Sequence, residues 1–185
     1  MAKTIILKLK GLTQFWPPKE ARNSKTTCQM PTKRGVLRHI VAAAQGRSPD
    51  ADISDLEKSI LFGAAVCRIG EIVNWINSDY FVNGAEKEVL ESYIFYVALT
   101  CDDQFADVLA AQLQNPQGEL SLGDPCVDCT PDVPVFQSIT DAPMVKALLE
   151  AVNADPTRHI HMEVEIEDPL SVEHLPLRSV KRTIE

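Results

Sequence analysis

The sequence contains no run approaching the roughly 18 consecutive apolar residues that a membrane-spanning helix requires. Its opening segment alternates Lys3, Lys8 and Lys10 with apolar residues instead of building the continuous apolar core of a signal peptide. A soluble cytoplasmic protein with no membrane partner is the expectation. Glycine and proline number 8 and 12 of 185 residues and form only short tracts, which excludes collagen-like and mucin-like chains. Only five cysteines occur, at positions 28, 67, 101, 126 and 129, too scattered for a compact disulfide scaffold. Cys126 and Cys129 make one C-x-x-C, but it lies in the acidic DPCVDCTPD with no second pair, so a structural reading stands ahead of a redox or zinc role. His159 and His161 would share one face of a strand, with no partner set beside them in sequence. P-loop, dinucleotide-binding, H-E-x-x-H, EF-hand and G-x-S-x-G patterns are all absent. No cofactor or metal is expected, and a noncatalytic protein is the favoured reading.

The formal net charge of -8 conceals a division. Residues 1–47 carry ten Lys and Arg against one acid (+9), whereas residues 48–185 carry eight against 25 acids (-17). A local attraction to phosphate therefore survives an acidic total.

Hydrophobic periodicity predicts an α+β chain. KTIILKLK, 3–10, reads as a strand, and residues 12–34 as a basic loop or irregular hairpin interrupted by prolines. GVLRHIVAAAQG repeats apolar residues at helical spacing. Ser54 and Glu57 form a candidate capping box for a second helix. CRIGEIVNWI suits a short strand pair or an irregular hairpin, and Val89–Thr100 reads as a central strand apolar on both faces. QFADVLAAQLQN, behind Asp103, and APMVKALLEAVNAD read as helices, with PVFQSI a short element between them and RHIHMEVEIED a returning strand. The alternation fits a ferredoxin-like or RRM-like domain over 1–118, with a small irregular C-terminal extension over 119–185 packed on it.

The basic N-terminal section supplies the candidate site. Lys19, Arg22, Lys25, Lys33, Arg34 and Arg38 would approach phosphates from one side if the loop folds over the helix beginning near Gly35. Ser24, Thr26, Thr27 and Thr32 offer short-range donors. Trp16 would either stack on an unpaired base or anchor the loop to the domain.

Five segments carry a resemblance, in order along nearly the whole chain: ILKLKGLTQFW, KTTCQMPTKRGVLRHIVAAAQG, ESYIFYVALT, PCVDCTPDVPVF and PLRSVKRTIE. Together they resemble the CasD-type family of CRISPR-associated Cascade proteins. The resemblance implies an RNA-recognition-like fold that binds the 5′ handle of CRISPR RNA and joins the backbone and large subunits of Cascade. It would put Lys25, Thr26, Thr27, Thr32, Lys33, Arg34 and Gly35 in the handle-contact loop and helix start, with Gly35 allowing phosphate close to the backbone. Two departures stand out. The protruding thumb of that family is reduced here to about Val66–Glu88, and LGDPCVDC places Asp124 and Pro125 where basic residues belong. The alternative is a phage-encoded anti-CRISPR mimic that occupies the place of such a subunit and blocks assembly or interference.

Overall fold

In the computed structural model, which describes residues 2–18, 26–76, 86–123, 129–159, 164–166 and 178–180, strand β1 (Ala2–Lys10) is buried on both faces. Ile5, Leu7 and Leu9 face one apolar core and Ile6 another. Its neighbours are β6 (Ile94–Asp102) and β7 (Phe136–Thr140), and β6 pairs in turn with β3 (Leu61–Arg68). With β8 (Val164–Ile166) and β9 (Arg178–Val180) these make an antiparallel sheet of order β7–β1–β6–β3–β8–β9. Helix α1 (Lys33–Val36) and its continuation lie between β1 and β3 in the chain, and α3 (Asp103–Gln114) lies between β6 and β7. Strand–helix–strand, strand–helix–strand in the spatial order fourth–first–third–second is the ferredoxin-like arrangement that the sequence alternation predicts.

The helix after α1 runs as a π-helical stretch, Leu37–Ala42. The carbonyl of His39 accepts from Ser121 N at 3.2 Å, so the chain after α3 supplies a partner to this helix. Gly46, at φ +73°, ends the helical run: its N–H reaches Ala43 O and that of Arg47 reaches Ala42 O, satisfying carbonyls that the helix itself leaves open. Val36, Leu37, Ile40 and Val41 pack with Leu109 and Leu113 of α3 on one face of the sheet. The opposite face is covered by α4 (Met144–Ala154), whose Ala147, Leu148 and Val152 lie against Ile6, Ala65, Cys67, Tyr96 and Ala98.

Between β3 and β6 the chain makes the strand pair β4 (Glu71–Ile76) and β5 (Glu86–Glu91). Together with β2 (Thr13–Gln14) these form a separate sheet of order β2–β5–β4. Gly70 permits the turn into this pair, since a Cβ there would lie 1.8 Å from Glu91 O.

Three expectations change. Ser54 is the first residue of helix α2 (Ser54–Ser59), not its cap; Asp52 Oδ1 accepts from both the N–H and the hydroxyl of Ser54. The run Val89–Thr100 is split: Val89 and Leu90 belong to β5, and Ser92, at φ 59°, turns the chain into β6. Of the described residues after 118, β7 and β8 join both sides of the central strands and α4 packs on their face. The cap of α3 is Asp102, whose side chain accepts from Gln104 N, one residue before the expected Asp103. Cys126 and His161 lie outside the described residues; Cys129 is buried, and His159 Nδ1 accepts from Ile69 N. Among the described residues no helix is long and apolar enough to cross a membrane, and no cluster of side chains fits a metal ion.

Candidate nucleic-acid interface

The twelve sequence-predicted contact residues separate into groups. Lys19, Arg22, Ser24 and Lys25 lie outside the described residues. Trp16 has no exposed surface; its indole N–H donates to Gln14 Oε1 at 3.2 Å, so the ring anchors the loop and presents no face to a base. Gly35 is also buried, and what approaches its Cα is protein: a Cβ there would lie 2.8 Å from Thr32 Oγ1 and 3.0 Å from Trp16 Cε3. The expected close approach is therefore to the tryptophan ring and not to phosphate.

The threonines serve the backbone. Thr32 caps α1, its Oγ1 accepting from Gly35 N at 3.1 Å. Thr27 Oγ1 accepts from Trp16 N at 2.9 Å and donates its single proton to Cys28 O at 3.0 Å, so it has no donor for phosphate. Thr26 is exposed. Lys33 Nζ donates to Glu57 O at 2.9 Å and so ties α1 to α2. Arg34 is exposed and makes no side-chain hydrogen bond among the described residues. Arg38, four residues on, is half-buried, and its Nε is enclosed with no partner among the described residues. Two arginines, at i and i+4 on one helical run, thus remain to meet an anion.

Tertiary pairing consumes other cations of the basic section. Lys3 meets Asp107 at 2.7 Å, Lys8 meets Asp155 at 2.6 Å, and Arg47 meets Asp55 at 2.5 Å, each acid coming from the acidic remainder of the chain. The Lys8–Asp155 pair is the centre of a buried polar cluster where the end of α4 crosses β1 and β6. Asp155 also accepts from Tyr96 Oη at 3.0 Å and from Thr157 N and Oγ1 at 2.9 and 2.6 Å. Burial pushes the Asp155 carboxyl upward, but hydrogen bonds from Lys8, Thr157 and Tyr96 outweigh it and hold the carboxyl well below the usual range. Burial, with Asp155 as a neighbour, pushes the Tyr96 phenol up to about 12 and the Cys67 thiol up to about 12. Sequence reasoning missed this cluster, since 147 residues separate Lys8 from Asp155 and no local pattern joins them.

RNA-recognition folds stack bases on an open sheet surface, whereas α4 and this cluster close that surface here. Arg34 is exposed at the start of α1, and Arg38 is half-buried in the π-helical stretch that follows.

No family model and no curated protein matches the sequence. Solved structures do. One, described as the crystal structure of a Cas protein, is 27% identical over 89% of this chain and 80% of its own, with a TM-score of 0.69. A chain of a CRISPR RNA-guided surveillance complex is 19% identical over 89% of this chain and 77% of its own, with a TM-score of 0.62. The six-stranded sheet, its helices and the inserted β4–β5 pair thus make up a fold similar, over most of the chain, to that of CRISPR-associated proteins.

Proposed function

We propose that this protein is a noncatalytic component of a Cascade-type CRISPR complex, of the CasD kind, which contacts the guide RNA handle and the neighbouring backbone and large subunits. The likeness to a Cas protein at 27% identity across 89% of the chain carries this reading. Within it, the RNA contact falls to Arg34 and Arg38, with exposed Thr26 and, in the sequence just before it, Lys19, Arg22 and Lys25 as further candidates. Trp16, Gly35, Thr27, Thr32 and Lys33 build the surface without reading the RNA.

The test is handle binding by the purified chain across a salt series. Each phosphate contact on a single strand contributes about 0.7 to the slope of log affinity against log salt. Arg34→Gln should weaken binding and flatten the slope by about that amount. Equal affinity and slope for the wild type and the variant would remove the RNA site. Copurification with Cascade subunits tests the partner half separately.

The mimic reading is favoured by a different observation: among the described contact candidates, Trp16, Thr27, Lys33 and Gly35 are buried or engaged within the protein. It predicts stable association with Cascade subunits, no handle affinity and loss of interference.

A further inference from the structure

Three sets of contacts converge on Trp16, at the end of β2. The backbone holds the chain that returns from the basic loop: Trp16 N donates to Thr27 Oγ1 at 2.9 Å, and Trp16 O accepts from Cys28 N at 2.7 Å. The indole N–H is held by Gln14. Gln14 is itself fully buried and donates to Leu9 O at 3.3 Å and to Tyr93 O at 3.0 Å, the latter at the corner where β5 turns into β6. Finally, the ring lies against Gly35, between Arg34 and Arg38, at a distance that leaves no room for a side chain.

A buried amide is an unexpected choice for such a position. An apolar residue of similar size would fill the space with no partners to satisfy, whereas Gln14 costs desolvation unless its hydrogen bonds are made. What the amide adds is orientation. It fixes the indole about its own axis, and the indole in turn sets both the height of the α1 start, through Gly35, and the position of the returning limb, through Thr27 and Cys28. The cations Arg34 and Arg38 are carried by the first of these pieces, the helical run that begins at α1.

We infer that Gln14, Trp16 and Thr27 form a positioning latch that holds the returning limb and the start of α1 in one register, so that Arg34 and Arg38 meet a single-stranded RNA as a preformed surface. None of the three residues touches the RNA. The inference rests on the proposed contact of Arg34 and Arg38 with guide RNA. Preorganisation of this kind acts on affinity by removing the ordering that binding otherwise requires.

Thr27 offers the cleanest perturbation, because it is half-buried and its exchange for valine keeps the shape while deleting the hydroxyl. The experiment uses the full chain, a fluorescently labelled single-stranded RNA of handle length, a salt series, urea unfolding and amide hydrogen exchange. Thr27→Val, which removes both hydrogen bonds of the hydroxyl, should weaken RNA binding by about tenfold. Its salt slope should match the wild type, since no phosphate contact is lost, and the Trp16 amide should exchange faster. Thr27→Ser should restore both affinity and protection. Trp16→Phe deletes both the N–H that Gln14 holds and the benzo-ring edge, Cε3 and Cζ3, that packs on Gly35, so it should weaken binding at least as much as Thr27→Val. Wild-type affinity in Thr27→Val alongside faster Trp16 exchange would overturn the latch while leaving the RNA site standing, and so would a flattened slope, which would make Thr27 a direct contact. A wild type that fails to bind, or an Arg34→Gln variant that binds identically, would overturn the RNA reading and the latch built on it.

Discussion

Replacing Asp155 by alanine tests the cluster that fastens α4 over the sheet. Asp155 is 4% exposed, and its carboxylate accepts from Lys8 Nζ, Tyr96 Oη and Thr157. Removing one partner of a buried ion pair costs about 3–5 kcal/mol, because the other charge is left without compensation. Lys8 retains 20% of its side-chain surface and can turn its ammonium toward water, which sets the expected loss at the lower end, about 3 kcal/mol. At about 2–4 °C per kcal/mol for a chain of this size, the melting temperature should fall by roughly 6–12 °C. The sign with pH follows from the direction of each shift. Asp155 is held below its ordinary 3.8, so its contribution is complete above that value and drains away as pH falls beneath it. Lys8 is raised above 10.5, so its contribution is complete below that value and is lost as pH rises past it. Urea unfolding at pH 3, 7 and 11 on wild type, Asp155→Ala, Lys8→Met and the double variant measures both. The deficit of Asp155→Ala should shrink at pH 3, and Lys8→Met should cost much less once Asp155 is gone. A loss under about 1 kcal/mol at pH 7, or a Lys8→Met cost unchanged by the Asp155 substitution, would refute the assignment of this cluster as a clasp.

Thiol alkylation at pH 8 should spare Cys67 and Cys101, which are buried and pushed up to about 12 and about 11, mainly by burial, while half-buried Cys28 reacts before them; peptide mass mapping reads the order. An ultraviolet titration should show Tyr96 ionising only near 12, and Asp155→Ala should bring it down by removing the neighbouring carboxylate. Gly35→Ala should lower stability by about 1–3 kcal/mol through overpacking against Thr32 and Trp16, measured by thermal unfolding. Gly70→Ala should cost more than Gly35→Ala, because its Cβ would meet the Glu91 backbone and not a side chain that can shift.

Periodicity was enough for β1, for α3 and α4, and for the doubly apolar faces of β6, where Phe95, Val97 and Leu99 enter one core and Ile94, Tyr96 and Ala98 the other. These patterns are local, and hydrophobic burial enforces them wherever the element lands. The break at Ser92 was not legible, since an apolar run cannot show where one residue with positive φ redirects it into a different sheet. The site was partly legible. Basic residues and threonines could be picked out by type, but not the bonds that occupy them.

What the sequence determined by itself is the inventory: an α+β alternation, a cation-rich first 47 residues with nine net positive charges, and an acidic remainder. Only the tertiary structure decided where those charges go. Folding brings Asp107, Asp155 and Asp55 to Lys3, Lys8 and Arg47, so much of the division visible along the chain is cancelled in space. It turns Trp16 inward to the ring-to-glycine contact at Gly35 and seals the sheet face under α4. The physical reason is range: propensity and periodicity act over a few residues, whereas ion pairing and side-chain packing join positions more than a hundred residues apart. A charge counted in sequence becomes a binding surface only if the fold leaves it unpaired.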